Sequence, residues 1–276
     1  QMIVREYSEF TGWAVARRLE LPLVTQAIIH RLPPPAEARV VELAGRLAAL
    51  AKIDPPHSPD ELLGQAYLDA VPPSFRCPWE HGVPLARPAR PSLYDGSEGG
   101  PLPRSIDELG RERPLVYVTF GTVFNDRAGL WRTVLAAVSG LDVDALLTIG
   151  PNVDPARLGD LPPNARIERY VPQSHVLPRC AAVVCHAGFN TLMAAFSHGL
   201  PAVCIPLDAD QPVNARCAAD AGAGINAANA PARDLRGPFA DPDTLDADQL
   251  ANALARLLDE PAFAHAAQRL WAPGEN

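Results

Sequence analysis

Apolar residues along this chain change period repeatedly, from short unbroken or alternating runs to stretches spaced three and four apart. Those changes lay out the elements. Met2 to Arg5 reads as a strand, Glu9 to Leu19 as a helix entered through Ser8 or Thr11, and Leu23 to Ile29 as a second strand. A strand, a helix and a strand in that order form a βαβ unit. Ala36 to Ala51 sets Val40, Leu43, Ala44, Leu47 and Leu50 at helical spacing, with Glu37, Arg39, Glu42 and Arg46 on the other faces. From Asp54 to Trp79 the pattern breaks up among prolines, with a short helix expected over Pro59 to Ala66. Arg87 to Pro103 has the Pro, Gly and Ser density of a linker.

Beyond it the alternation is regular. Strands are predicted at Leu115 to Phe120, Ala145 to Ile149, Arg166 to Tyr170, Ala182 to Cys185 and Ala202 to Ile205. Helices are predicted at Gly129 to Ser139, Ser174 to Arg179, Asn190 to His198, Val213 to Ala221 and Asp246 to Asp259, with a mobile loop from Ala227 to Asp246. This is the signature of the α/β class with a doubly wound parallel sheet, in which ligands sit at the carboxyl ends of the strands. Gly121-Thr122, Pro172-Gln173, His186 to Thr191 and Asp208 to Gln211 all fall at such ends. The expected organisation is a partial N-terminal domain over 1–90, a linker over 91–112, a ligand-binding domain over 113–262 and a tail over 263–276.

Composition narrows the partners. With 276 residues and 47% apolar content the chain can bury a sizeable core, and a net charge of −8 argues against a nucleic-acid footprint. Any phosphate is held locally. Five cysteines at 77, 180, 185, 204 and 217, with no CxxC pair, favour buried free thiols in a reducing compartment. No stretch is long and apolar enough for a membrane span and no signal peptide is evident, so a cytoplasmic location is expected. The chain opens at Gln1 on a strand-like run, and a missing start is expected.

The turn from His186 to Thr191 lies between an apolar run too short for a helix and a run of helix formers, which reads as strand, tight turn, helix. Free amides and the positive helix end attract phosphate, Gly188 lets the backbone approach closely, and His186 adds a donor without a fixed charge. The plain alternative is a core histidine with Asn190 and Thr191 as caps. Gly121-Thr122 offers further N–H groups and a hydroxyl, or is an ordinary turn, and Asn125 reads as a helix cap or turn residue. In Tyr170 to Gln173, a ring could stack on a pyrimidine whose edge pairs with an amide; a bare strand-to-helix junction at Pro172 is the alternative. Asp210 beside Gln211 suits sugar hydroxyls, because a carboxylate and an amide accept and donate in a fixed geometry, though both could cap a helix. Asp208 and Asp210 lack further ligands at useful spacing, so no metal is expected. Gly222-Ala223-Gly224 follows a helix and reads as a helix stop.

Val116 to Asn125 together with Tyr170 to Asn214, in the spacing Val-Pro-Gln, His-x-Gly-x-Asn-Thr and Asp-Gln-Pro-x-Asn-Ala, resembles the donor-binding half of family 1 glycosyltransferases of the bacterial natural-product and macrolide type. Tyr67 to Phe75 resembles a segment late in the family's N-terminal domain. The resemblance implies two facing Rossmann-like domains, the GT-B fold, the N-terminal one incomplete. It implies that Val171 and Gln173 hold a pyrimidine, that Gly121, Thr122, His186, Gly188, Asn190 and Thr191 hold a diphosphate, and that Asp210 and Gln211 contact a sugar. The implied reaction moves a sugar from a UDP- or dTDP-sugar to a hydroxyl of a small lipophilic acceptor. It is a single inverting displacement without metal, further cofactor or covalent intermediate.

The family's acceptor-activating histidine stands before the point where this sequence begins, and His30, His57 and His81 lack its context, so no catalytic residue is named. The family's C-terminal helix would continue past Ala267 and cross back to the N-terminal domain, where this sequence stops at Asn276. Ala187 replaces a glycine common in bacterial relatives. The competing expectations are a nucleotide-sugar-binding module or fragment without turnover, and an epimerase or cell-wall transferase on the same fold; a homodimer is left open.

Overall fold

A computed structural model describes residues 1–80, 82, 83, 85–93, 95, 96, 104–123, 125–227 and 245–272. Parts of the expected linker and tail, most of the loop after Ala227, His81 and Phe124 lie outside the described residues. The chain divides into two compact units, Gln1–Pro91 and Ser92–Ala272.

In the first unit β1 (Ile3–Glu6), α1 (Thr11–Arg18), β2 (Leu23–Gln26), α2 (Pro34–Ala51), β3 (Ala66–Asp69) and β4 (Ala86–Pro88) follow in order, and the strands pair in parallel as β1-β2-β3-β4. Trp13, Ala14 and Ala16 of α1 and Ala44 and Ala48 of α2 pack with Leu23 and Leu62 in a small core. Three sequence expectations are corrected here. Neither Ser8 nor Thr11 caps α1: the Glu9 carboxylate accepts from the Thr11 and Gly12 amides at 2.6 and 2.8 Å, satisfying donors that the helix leaves open. β2 ends at Gln26, three residues short of Ile29. The helix expected over Pro59 to Ala66 is one 3₁₀ turn, Asp60–Leu62, and Ala66 instead opens β3. The cause is tertiary. Gly64, at φ +80°, passes so close to β2 that a Cβ would lie 2.5 Å from the Leu23 carbonyl oxygen, and β3 then buries Tyr67 and Asp69. The last two residues of β4, Arg87 and Pro88, fall in the stretch that composition marks as linker.

The second unit contains α3 (Arg104–Asp107), β5 (Leu115–Thr119), α4 (Ala128–Ser139), β6 (Asp144–Thr148), β7 (Ala165–Glu168) and α5 (Gln173–Val176). It continues through β8 (Ala182–Cys185), α6 (Phe189–Ser197), β9 (Ala202–Cys204), α7 (Gln211–Asp220), β10 (Gly224–Asn226), α8 (Ala247–Asp259) and α9 (Pro261–Leu270). Six parallel strands run in the order β10-β9-β8-β5-β6-β7. Strands β5, β6, β8 and β9 are buried along their whole length, as in a sheet covered on both faces. α4 and α8 pack against each other over Val116, Val118, Leu147, Val184 and Val203, and α6 packs against α9. The chain builds outward from β5 to β7 and returns beside β5 as β8. The strand order therefore reverses between β5 and β8, and the loops after these two strands diverge around a crevice.

Two expectations are corrected in this unit. Gly222, at φ +70°, does follow the end of α7, but Gly224 opens a strand, β10, because its bare backbone passes Ala202 where a Cβ would meet the carbonyl oxygen at 2.5 Å. The tail expected from residue 263 is helical to Leu270: Phe263, Ala266, Ala267 and Leu270 are buried at helical spacing, and the unit extends to Ala272. Among the described residues no helix is long and apolar enough to cross a membrane. All five cysteines are free thiols, and all but Cys180 are buried.

Candidate functional site

A cavity of about 500 Å³ opens at the carboxyl ends of β5 to β9. The ten residues expected to hold the donor all line it: Gly121 and Thr122 after β5, Val171 and Gln173 after β7, His186, Gly188, Asn190 and Thr191 after β8, and Asp210 and Gln211 after β9. The strand reversal brings these four loops together.

The turn between β8 and α6 is built around His186. Its left-handed residue is Ala187, at φ +63°, whereas Gly188, the residue before α6, has an ordinary φ of −61°. Gly188 is required by space. A Cβ there would lie 2.5 Å from His186 Nε2, and a Cβ on Gly121, at φ +71°, would lie 2.8 Å from the same atom. The imidazole is therefore held between two glycines. Burial lowers the His186 pKa, with the Thr119 carbonyl and Asp210 pulling the other way, so the ring is neutral at pH 7 and serves as a hydrogen-bonding group. Asn190 and Thr191 do not cap α6; they lie in its first turn, where backbone N–H groups lack an intrahelical acceptor.

Asn125 does not cap α4 either. It is buried, and its amide donates to the Gly121 carbonyl at 2.7 Å and the Ile149 carbonyl at 3.0 Å, tying the loop after β5 to the loop after β6. A Cβ on Gly150 would strike that amide at 2.5 Å.

At the opposite end, Pro172 precedes α5 and Gln173 is its first residue, so the junction reading and the binding reading both describe the loop. Tyr170 is 63% exposed and its hydroxyl donates to the Asp95 carbonyl, while the Asp95 carboxylate accepts from the Ser174 amide at 2.8 Å. Tyr117 and Thr148 also line the cavity, and the buried Tyr117 hydroxyl lies 2.8 Å from Thr148 Oγ1. Burial raises the Tyr117 pKa, opposed by hydrogen bonds to Thr148, Gln173 and Thr119. Sequence reading missed Tyr117, Thr148 and Asp95. The first two sit within runs that read simply as buried strands, and an aspartate in a Pro, Gly and Ser-rich run carries no pattern.

After β9, Gln211 Oε1 accepts from the Leu207 and Asp208 amides at 2.8 and 2.9 Å, so the NH₂ end of its side chain is what remains for a ligand. Asp208 turns onto the Ala209 amide at 2.7 Å, and Asp210 Oδ2 accepts from Asn214 Nδ2 at 2.8 Å. Arg169 is the lysine or arginine among the described lining residues, and it donates to the Pro151 carbonyl at 2.9 Å. An anion in this cavity would be met chiefly by backbone amides, hydroxyls and a neutral imidazole.

The family model described as erythromycin biosynthesis protein CIII-like, C-terminal domain, matches residues 132–274. The chain is 33% identical over 272 residues to the elloramycin glycosyltransferase of Streptomyces olivaceus, covering 97% of this chain and 63% of that protein. It is 27% identical to the erythronolide mycarosyltransferase of Saccharopolyspora erythraea over 95% of this chain and 55% of the relative. The chain thus spans less than two-thirds of the length of these curated relatives. Among solved structures, spinosyn rhamnosyltransferase complexed with thymidine diphosphate matches with TM-score 0.79 and 28% identity, covering 98% of this chain and 68% of that one. A calicheamicin glycosyltransferase matches with TM-score 0.74 and 21% identity over 98% of this chain and 68% of its own, a likeness of fold, and both neighbours have the GT-B architecture.

Proposed function

The chain belongs to the erythromycin biosynthesis protein CIII-like family of bacterial family 1 glycosyltransferases, and from that premise we propose that it binds a dTDP- or UDP-sugar and transfers the sugar to a hydroxyl of a small lipophilic natural product. The observation that carries this reading is the convergence of four loops on one cavity, with His186 Nε2 between Gly121 and Gly188 beside the start of α6. The diphosphate lies against the first-turn amides of α6, the Thr122 and Thr191 hydroxyls and His186. The pyrimidine lies by Val171 and Gln173, and the sugar by Asp210 and the Gln211 NH₂.

Transfer is an in-line displacement. The acceptor oxygen bonds to the anomeric carbon from the face opposite the diphosphate, the bond to the β-phosphate oxygen breaks, and the electron pair leaves with the nucleoside diphosphate. Charge developing on that oxygen is stabilised by amides already oriented toward it and by the imidazole, with no metal required. The acceptor's proton passes to a base that none of these residues supplies. Incubation with dTDP- and UDP-hexoses and hydroxylated lipophilic acceptors, followed by mass spectrometry and assignment of the anomeric configuration, tests the reading. Nucleoside diphosphate release with an inverted glycoside supports it. Tight donor binding without release makes the chain a binding module instead.

A further inference from the structure

Asn214 is wholly buried on α7 and is not among the residues lining the cavity, yet its single amide holds two parts of the cavity wall. Nδ2 donates to the Ala187 carbonyl at 2.9 Å and to Asp210 Oδ2 at 2.8 Å. Each bond has a directional consequence. In a planar trans peptide the carbonyl and the following N–H point opposite ways, so anchoring the Ala187 carbonyl toward α7 turns the Gly188 N–H away from α7. With Oδ2 of Asp210 occupied, Oδ1 is the oxygen left to accept from a ligand hydroxyl. Asn214 Oδ1 is buried without a hydrogen-bond partner, so the amide is placed for what its Nδ2 holds.

We propose that Asn214 is a positioning residue that couples the diphosphate turn to the sugar-facing carboxylate, fixing the spacing between the two halves of the donor site. The inference rests on the donor-site reading above. It makes Asn214 responsible for the affinity contributed by the second phosphate, while the nucleoside end of the cavity is outside its reach.

The test compares dTMP and dTDP binding by calorimetry for the parent chain, Asn214→Leu, Asn214→Asp and Asn164→Leu. Asn164 is a matched control: a buried amide on the Val138 and Val143 carbonyls, each at 2.9 Å, away from the cavity. Asn214→Leu is expected to lose most of the gain in affinity from dTMP to dTDP, on the order of tenfold, whereas Asn164→Leu lowers the melting temperature and keeps that gain. In Asn214→Asp the ionised carboxylate faces the Ala187 carbonyl and Asp210. Its affinity relative to the parent at the same pH should recover from about pH 8 to about pH 6, as the two adjacent carboxylates take up one shared proton that restores a donor between them; the parent comparison cancels titration of His186 and the nucleotide. An unchanged phosphate gain in Asn214→Leu, an equal loss in Asn164→Leu, or no recovery in Asn214→Asp overturns the coupling. If Asn214→Leu does not fold, the recovery in Asn214→Asp decides alone. A folded parent that binds neither nucleotide overturns the donor-site reading, and this inference with it.

Discussion

Gly188→Ala isolates the role of the glycines around His186. The backbone at Gly188 suits alanine, at φ −61°, so the fold should tolerate the change. The new methyl carbon would lie 2.5 Å from His186 Nε2, 2.9 Å from Cε1 and 3.3 Å from Cδ2, where ordinary contact begins at 3.4 Å. The ring must therefore retreat by about 0.9 Å, enough to turn a hydrogen bond of normal length into no bond. Losing a hydrogen bond to a charged phosphate oxygen costs about 1.5 to 3 kcal/mol, or roughly 10- to 150-fold in Kd. Calorimetric titration with dTDP of the parent, Gly188→Ala, His186→Ala and the double variant forms a complete cycle. Because both single changes remove the same contact, the double variant should bind about as weakly as His186→Ala alone. Additive losses would mean that the methyl blocks the phosphate directly. Binding by Gly188→Ala within about twofold of the parent would refute the His186 contact itself.

Three further outcomes follow from particular contacts. Asn125→Ala strips the Gly121 and Ile149 carbonyls of their donor, and should lower stability by about 1 to 3 kcal/mol in urea unfolding and weaken dTDP binding together. In the first unit, His30 and Glu80 form a buried pair at 2.6 Å. Burial opposes the charged imidazole, but the hydrogen bonds to Cys77 and Glu80 and the Glu80 charge outweigh it and raise the His30 pKa to about 9, while Glu80 is lowered despite its burial. A raised histidine stabilises fully below its unfolded value near 6.5 and loses that contribution as pH climbs through 9; a lowered glutamate contributes above about 4.5. Up to about 3 kcal/mol should therefore disappear on the alkaline side, and melting curves of Glu80→Gln should lack that slope. Gly64→Ala places a methyl against the Leu23 carbonyl at φ +80° and should cost at least about 2 kcal/mol, read as a lower urea midpoint, without changing dTDP affinity.

The second unit was legible because its evidence is local. Apolar runs such as Ala182 to Cys185 are bounded by turn residues, and each polar motif stands one step beyond a strand. The sheet order then makes neighbours of loops far apart in sequence. Where tertiary contacts decide, the pattern was silent: β3 and β10 each depend on a glycine passing a carbonyl oxygen, and neither shows in periodicity. At Gly188 the residue type was legible as a point of close backbone approach, but the ring of His186 that fills the space beside it was not. Gln211 was legible as a polar residue beside Asp210; that its carbonyl oxygen is already occupied by the Leu207 and Asp208 amides follows only from the loop's fold.

The most direct test of the donor-site reading is a crystal structure of this chain with dTDP bound. The account predicts the diphosphate against the first turn of α6 within hydrogen-bond distance of His186 Nε2, with the thymine beside Val171 and Gln173. A nucleotide seated instead in the separate cleft lined by Arg127, Arg132 and Arg157, with the cavity at His186 unoccupied, would contradict it.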